Sequence, residues 1–469
     1  MLVSSYSKPE FNPYENDDLV LEVEPGPWPA PVANGPLAST LALPGSKSLT
    51  NRELVLSALA DGPSTLRAPL FSRDSNLMVQ GLKELGTSIV EVPGAGKYGP
   101  DLLVTPAELS GGTTIDCGLA GTVMRFLPPV AALALGPVAF DGDPSARKRP
   151  MRPTIDSLRA LGVDVTDDGR GRLPFSLYAT GTVEGGELEV DASGSSQFVS
   201  SLLLVGARFT KGLTLRHVGD RVPSHAHIDM TIATLAARGV EVDTSEPDRW
   251  VVSPGPIAGI DIDIEPDLSN AAPFLAAALV AGGTVTITGW PSDTTQVGAE
   301  MAGILTSMGA EVSFTETGAG VGEFTVTGTG IVHGIRLDNA SELAPTIAAL
   351  AALADSETVL TGIAHLRGHE TDRLTALATE INALGGDVTE TDDGLIIRPQ
   401  PLHGGVWHSY EDHRMATAGA IIGLVVPGIE IENIATTAKT LPQFPQLWLG
   451  LTRGIGISTS GSSDPLSFL

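Results

Sequence analysis

The stretch "LPGSKSLTNRELVLSALADG" (residues 43–62) ends as a continuous apolar run, yet it opens with Lys47, Ser48, Thr50, Asn51 and Arg52. A Leu/Val/Ala-rich run without a polar stripe predicts a helix buried on every side. A helix N-terminus carries unpaired N–H groups and about half a positive charge, which suits phosphate or carboxylate. Lys47 and Arg52 at that position therefore predict an anion site at the mouth of a core helix.

The pattern recurs. Similar apolar runs begin at Thr50, Gly121, Ser195, Ser269, Ala344 and His413, about every 70 to 76 residues, and each leads through a small-residue turn into a β-rich segment. Most are followed by a second helix of different character. In "LMVQGLKELGTSIVEV" (77–92) and "PTIDSLRALGVDVTD" (153–167), apolar residues fall on one side at helical spacing, a Gly follows, and alternation then marks a strand. Six units, each with an all-apolar helix to bury, cannot share one simple core. A three-and-three division follows, with chain crossings near residues 43–47 and 261–267. The expected organisation is a flexible acidic tail (1–28), a first domain (46–265), a second domain (29–45 with 266–453) and a flexible C-terminal tail (454–469), of mixed α/β (α+β) class.

The chain has 469 residues, 42% of them hydrophobic, and a formal net charge of −27. Such an acidic balance excludes a broad electrostatic footprint for nucleic acid or an anionic membrane, so any basic cluster is local. The single cysteine, Cys117, excludes an internal disulfide framework and a multi-thiolate metal site, and fits a reducing compartment. The polar N-terminal stretch reads as neither signal nor transit peptide, so a cytoplasmic location is expected. The apolar runs at 271–281 and 415–426 fall short of the roughly 20 residues a membrane span requires.

The helix openings carry Lys47-Ser48 with Arg52, Gly121-Thr122 with Arg125, Ser195-Ser196-Gln197, Ser269-Asn270, Glu342 shortly before Pro345-Thr346, and Asp412-His413-Arg414. Capping, at about 1 kcal/mol each, explains the Ser, Thr, Asn and Asp residues but not the cations beside them. Basic residues also gather in "PSARKRPMRPTIDSL" (Arg147, Lys148, Arg149, Arg152), "LRGHETDRLTAL" (Arg367, His369, Glu370, Arg373) and "TTAKTLPQFP" (Lys439). In so acidic a chain this distribution predicts a cleft for a pair of multiply charged anions. Other motifs fail on their chemistry. In "PGSKS", Ser46 separates Gly45 from Lys47, so a P-loop is not formed. "GAGVGEF" (318–324) lacks the strand-turn-helix of a dinucleotide site. His365 with His369-Glu370, and His225 with His227, are weak metal patterns. Cys117 reads as structural. No metal or organic cofactor is expected.

Seven ordered motifs resemble one family: "LPGSKSLTNRELVLSALADG", "CGLAGTVMRF" (117–126), "DGDPSARKRPM" (141–151), "SGSSQFVSSLLL" (193–204), "RGHETDRL" (367–374), "YEDHRMA" (410–416) and "TAKTLPQFP" (437–445). They are similar to those of the 5-enolpyruvylshikimate-3-phosphate synthases, or 3-phosphoshikimate 1-carboxyvinyltransferases, over about residues 38 to 453. The resemblance implies a two-domain, inside-out α/β barrel-like fold with three βαβαββ units per domain in pseudo-threefold arrangement. It implies transfer of the enolpyruvyl group of phosphoenolpyruvate to the 5-hydroxyl of shikimate 3-phosphate, by addition and elimination without a cofactor, in a monomer inhibited by glyphosate. The implied shikimate 3-phosphate ligands are Lys47, Ser48, Arg52, Ser195, Ser196, Gln197, Ser224, Glu342 and His369. Those for phosphoenolpyruvate are Lys47, Gly121, Arg149, Gln197, Arg373, Arg414 and Lys439.

Glu342 stands where the family's usual Asp acts and is the implied base. Glu370 is the implied carrier of the proton at C3, with Lys47 sharing acid duty. The sequence departs from the family pattern at Leu119, where Asn is frequent, at Phe126, where Pro is frequent, and at His365 and His369, where Asn and Lys are frequent. The related transferase acting on UDP-N-acetylglucosamine is the nearest alternative, but it uses a Cys on a mobile loop, and Cys117 lies in a different motif. A non-catalytic binding relic would be expected to have lost Lys47, the acid at 342 or Glu370, and all three are present.

Overall fold

The computed structural model describes residues 26–453; both expected tails lie outside these residues apart from the end of the first at 26–28. Twelve α-helices are present among them: α1 Lys47–Ala58, α2 Arg73–Glu84, α3 Gly121–Ala131, α4 Arg152–Ala160, α5 Gln197–Gly206, α6 His225–Ala237, α7 Leu268–Ala281, α8 Met301–Ser307, α9 Ala344–Ala352, α10 Arg373–Ala383, α11 His413–Gly423 and α12 Phe444–Arg453. The odd-numbered helices are the apolar runs. Every residue of α3 and of α9 is buried. The even-numbered ones are one-sided; α2 buries Met78, Gly81 and Leu82 and leaves Gln80 and Lys83 exposed.

Helices α1, α3 and α5 pack on one another, and so do α7, α9 and α11. Two hydrophobic cores result. One is built from Leu54 through Ile264, the other from Ala30 to Leu43 together with Leu268 through Leu451. Six sheets surround these helix triplets. In each, the strand entering a buried helix runs parallel to the strand leaving one, as with Thr113–Asp116 and Leu135–Asp141 across α3. An antiparallel hairpin then completes the sheet in five of the six.

Two features depart from simple repetition. The strands before α1 and α7 are exchanged: Leu37–Leu41 pairs with Gly283–Pro291 after α7, while Asp261–Asp263 pairs with Ser64–Arg67 after α1. The chain thus passes between the cores at two adjacent points. There, Ser46 N–H donates to the Glu265 carbonyl (2.7 Å), and Asp267 N–H donates to that of Pro44 (3.0 Å). The sixth unit also lacks its hairpin, because the chain turns into α12 after Ile429–Ile431. Trp28–Pro29 supplies the antiparallel edge strand instead, pairing Trp28 with Ile431.

Candidate active site

The openings of all six buried helices line a single cleft between the cores. Lys47 and Ser48 come from α1, Gly121 and Thr122 from α3, Gln197 from α5, Ser269 and Asn270 from α7, Glu342 from the turn before α9, and His413 and Arg414 from α11. Threefold packing of rods on each side produces this convergence: their apolar lengths are fixed in the cores, and their polar ends have only the cleft to face.

On the wall belonging to the first core, the most deeply buried of its cleft cations is held by neutral partners. Arg52, 1% exposed, donates from Nε to Thr231 Oγ1 (2.8 Å), from Nη1 to the Ser48 carbonyl (2.9 Å) and from Nη2 to the His227 carbonyl (2.9 Å). Its guanidinium lies 5.3 Å from the centre of the Phe126 ring. Burial pulls its pKa down to about 10, with Glu342 and Glu53 acting in opposition. Arg149, also buried, donates to the Leu119 carbonyl (3.3 Å) beside Gly121. A Cβ at Gly121 would lie 3.1 Å and 3.2 Å from the two terminal nitrogens of Arg149. At the chain crossing, Lys47 Nζ pairs with Asp74 (3.2 Å) while its backbone N–H donates to Asp267 (3.0 Å). Asp267 also caps α7 through Asn270 N–H (2.8 Å), so one carboxylate ties together the starts of α1 and α7.

The opposite wall is laced with ion pairs. Glu370 meets Lys439 Nζ at 2.5 Å, Arg373 at 3.0 Å and Arg149 at 3.7 Å. Burial alone would raise its carboxyl, but Lys439, Arg149 and Arg373 outweigh that and hold it well below the usual carboxylate range. Arg373 is further clamped by both oxygens of Asp412 (2.7 and 3.1 Å), which also accepts the Arg414 N–H as the cap of α11. His369 Nδ1 accepts a hydrogen bond from Arg373 (3.3 Å). Burial, followed by Arg373, pushes His369 well below its ordinary range. The imidazole is consequently neutral near pH 7 and adds no charge to the cleft.

Glu342 stands apart from this network. One carboxylate oxygen accepts from Ser269 Oγ (2.8 Å) and faces Arg414 at 3.6 Å; the other accepts from His227 Nε2 (2.6 Å). Burial would raise this carboxyl, but His227, then Arg414 and Ser269, prevail and keep it well below the usual range. Glu342 and Glu370, both ionised, thus occupy the cleft in different settings: Glu342 in a ring of hydrogen-bond donors, Glu370 among three cations.

The sequence model of EPSP synthase (3-phosphoshikimate 1-carboxyvinyltransferase) matches residues 32–448. The chain belongs to the EPSP synthase family. It is 56% identical over 437 residues to the 3-phosphoshikimate 1-carboxyvinyltransferase of Kocuria rhizophila, covering 92% of this chain and 97% of that one. An EPSP synthase structure from Acinetobacter baumannii superimposes with a TM-score of 0.75 at 26% identity, covering 91% of this chain and 98% of the other. The enolpyruvyl transferase NikO from Streptomyces tendae, at 17% identity and a TM-score of 0.69 over 91% of this chain and 98% of its own, shares the fold.

Of the residues singled out by resemblance to EPSP synthases, all but Lys439 line the cleft. Lys439 sits directly behind, where Nζ donates to Glu370 and to the Leu119 carbonyl (3.0 Å). Leu119 therefore contributes through its backbone, which any side chain at this position supplies. The basic clusters are divided by the fold. Arg149 enters the cleft, whereas Arg147 pairs with Asp141 at the surface and Arg152 reaches the Gly169 carbonyl. Arg373 enters, whereas Arg367 pairs with Asp372 and Glu390. The sequence reading missed His227 as a cleft residue, treating it only with His225 as a weak metal pattern. Its position three residues after Ser224, on the same face of the first turn of α6, was the available signal. Among the described residues, no group of three or more His, Cys, Asp and Glu could hold a metal ion, and no helix is long and apolar enough to cross a membrane.

Proposed function

We propose that the chain transfers the enolpyruvyl group of phosphoenolpyruvate to the 5-hydroxyl of shikimate 3-phosphate, in the shikimate route to aromatic amino acids. The observation that carries this reading is the convergence of six helix openings and five cations, Lys47, Arg52, Arg149, Arg373 and Arg414, on a cleft that also holds Glu342 and Glu370 in two separate settings. Two multiply charged anions need that concentration of positive charge and N–H groups to lie side by side. A proton moving off oxygen and another moving onto carbon need two groups in two places.

In this reading Arg52, Ser48, Ser195, Ser196, Gln197 and Ser224 hold shikimate 3-phosphate. Arg149, Arg373, Arg414 and Lys439, with Gln197 and the open face at Gly121, hold phosphoenolpyruvate. Lys47, at the chain crossing, serves both. His369 meets the shikimate side as a neutral hydrogen-bonding group. Glu342 accepts the proton of the 5-hydroxyl as its oxygen bonds to C2, while C3 gains a proton. In the second stage C3 returns a proton and the C2–O bond to phosphate breaks, so phosphate leaves and the double bond is restored.

The environment of Glu370 refines its role. Held ionised by Lys439 and its arginine neighbours, it has no proton to donate before the substrates arrive. Incoming phosphate and carboxylate groups neutralise those cations and raise its pKa. Glu370 then accepts the C3 proton in elimination, and Lys47 supplies acid in addition. A cytoplasmic monomer inhibited by glyphosate, an analogue of phosphoenolpyruvate, completes the proposal. Release of inorganic phosphate from shikimate 3-phosphate and phosphoenolpyruvate together, and from neither alone, tests it. No release with both present refutes it.

A further inference from the structure

His227 and Glu342 belong to opposite walls. The histidine lies in the first turn of α6 and the glutamate in the turn Ser341–Leu343 before α9, yet Nε2 and Oε2 are 2.6 Å apart. Because a carboxylate only accepts, Nε2 carries the proton. The contact is one of three in register along the same rim. Arg221 faces Asp338 (3.4 Å), Ser224 Oγ meets Ser341 Oγ (2.6 Å), and His227 meets Glu342. Both serines have left-handed backbone, with φ of 53° and 48°. Residues other than glycine rarely adopt that conformation, so the strain is held by the surrounding structure at the point where the walls touch. The backbone of His227 is itself anchored: its carbonyl accepts from Arg52 Nη2 (2.9 Å), Thr231 Oγ1 (2.9 Å) and Ser200 Oγ (3.3 Å).

We propose that His227 is a positioning residue for the base: its imidazole N–H fixes the Glu342 carboxylate from across the cleft, so the base is set only when the two walls are together. This inference rests on the reading of Glu342 as the base. It also connects anion binding to base placement, because Arg52, the cation assigned to shikimate 3-phosphate, holds the carbonyl of the residue that orients Glu342. Ser269 secures the other carboxylate oxygen from α7, on Glu342's own side, so removing His227 frees one oxygen and leaves the second held. The charged and titratable groups facing the pair are Arg52 from α1, Glu300 from the turn before α8, His365 from Ala364–Gly368, Arg373 from α10 and Arg414 from α11.

The test uses the full-length chain with three variants, His227→Phe, His227→Gln and Glu342→Gln. For each, kcat and both KM values are measured across pH, together with thermal unfolding. His227→Phe is expected to lower kcat by about 10- to 100-fold, part of what a positioned base contributes, with both KM values within about threefold. Its acidic limb should move to higher pH, since the hydrogen bond that favours the ionised carboxylate is gone. His227→Gln, which keeps an N–H donor, should recover most of the lost kcat. A merely structural role would lower the unfolding temperature without moving the acidic limb. Unchanged kcat and acidic limb in His227→Phe, or a Gln variant as impaired as the Phe variant, overturns the inference. Undiminished turnover in Glu342→Gln removes the underlying base reading instead, whereas an inactive Glu342→Gln beside a normal His227→Phe rejects only the role of His227.

Discussion

The two walls of the cleft carry similar numbers of cations but neutralise them differently. On the first wall, Arg52 is buried against a hydroxyl, two carbonyls and an aromatic face, with no carboxylate in hydrogen-bonding contact. On the second, Arg373 is bound bidentately by Asp412 and again by Glu370, which also takes Lys439. Burying a charge without a counter-ion is costly unless hydrogen bonds or a ligand compensate it. At Arg52 the first wall therefore keeps charge in reserve for an incoming anion. On the second wall the cations are matched by carboxylates, with Arg149 reaching Glu370 from across the cleft, and an anion arriving there redistributes existing pairs and shifts the pKa of the carboxylate at their centre.

This contrast can be broken first at the carboxylates. Glu342→Gln preserves the shape of the site but removes its proton acceptor, so kcat should fall by about two orders of magnitude or more with little change in either KM. Steady-state kinetics would show near-normal turnover if another group is the base. The second-largest effect is on stability. Arg373→Met leaves Asp412 and Glu370 buried with a partner missing, a loss of about 3–5 kcal/mol by analogy with broken buried pairs. Arg52→Met removes a cation that has no carboxylate bonded to it, and denaturant unfolding should show a clearly smaller loss. Equal destabilisation of the two variants would contradict the difference between the walls. With shikimate 3-phosphate present the order reverses in consequence: Arg52→Met should raise its KM by about tenfold or more, the scale of one charged hydrogen bond, and should lose most of the thermal stabilisation the ligand gives the parent chain.

The second wall and its surroundings also predict a pH dependence. Burial depresses His365 to about 4 and holds His369 and His413 well below their ordinary value. The unfolded chain, with ordinary histidines near 6.5, binds more protons than the folded one below that pH, so stability is fully present above 6.5 and declines as pH falls toward 4. Depression of Glu342 and Glu370 acts in the same direction at lower pH, below the ordinary Glu value of 4.5. Thermal unfolding followed from pH 7 to 4 should show the decline, and His365→Gln should flatten its upper part. A midpoint indifferent to pH across this interval would mean that these imidazoles already charge in the folded state.

Much of this arrangement is legible in the sequence because the signals that carry it are local. Ala/Leu runs without a polar face can only be core, and Lys47 or Arg414 at their openings mark where the ends point. Other features depend on packing between distant segments. The exchange of Leu37–Leu41 and Asp261–Asp263 between sheets pairs residues about two hundred or more positions apart, and no local pattern specifies it. Arg147, Arg149 and Arg152 look equivalent in one basic run, but the turn at Ala146–Lys148 sends only Arg149 into the cleft. His227 acquires significance only opposite Glu342, 115 residues away. The electrostatic state of Glu370 follows from cations on three different segments, so its depression is a property of the folded site rather than of "RGHETDRL".

The smallest expected change is steric, at the edge where the walls meet. Gly121 begins α3, and a methyl group there would sit 3.1–3.2 Å from the guanidinium of Arg149 and 3.3 Å from that of Arg125. These contacts are a few tenths of an ångström too close, and Arg149 is buried with its Nη1 on the Leu119 carbonyl, so it has little room to yield. Gly121→Ala should therefore displace a phosphoenolpyruvate-side cation without touching Arg52. The KM for phosphoenolpyruvate should rise several-fold while that for shikimate 3-phosphate stays near the parent value, and inhibition by glyphosate should weaken in parallel. Folding should be almost unaffected, because the helix gains a better helix former at its first position. An equal rise in both KM values would mean that the disturbance spreads along the first wall from Arg149 to Arg52, so that the cations of this wall respond as one unit rather than as separate anion sites.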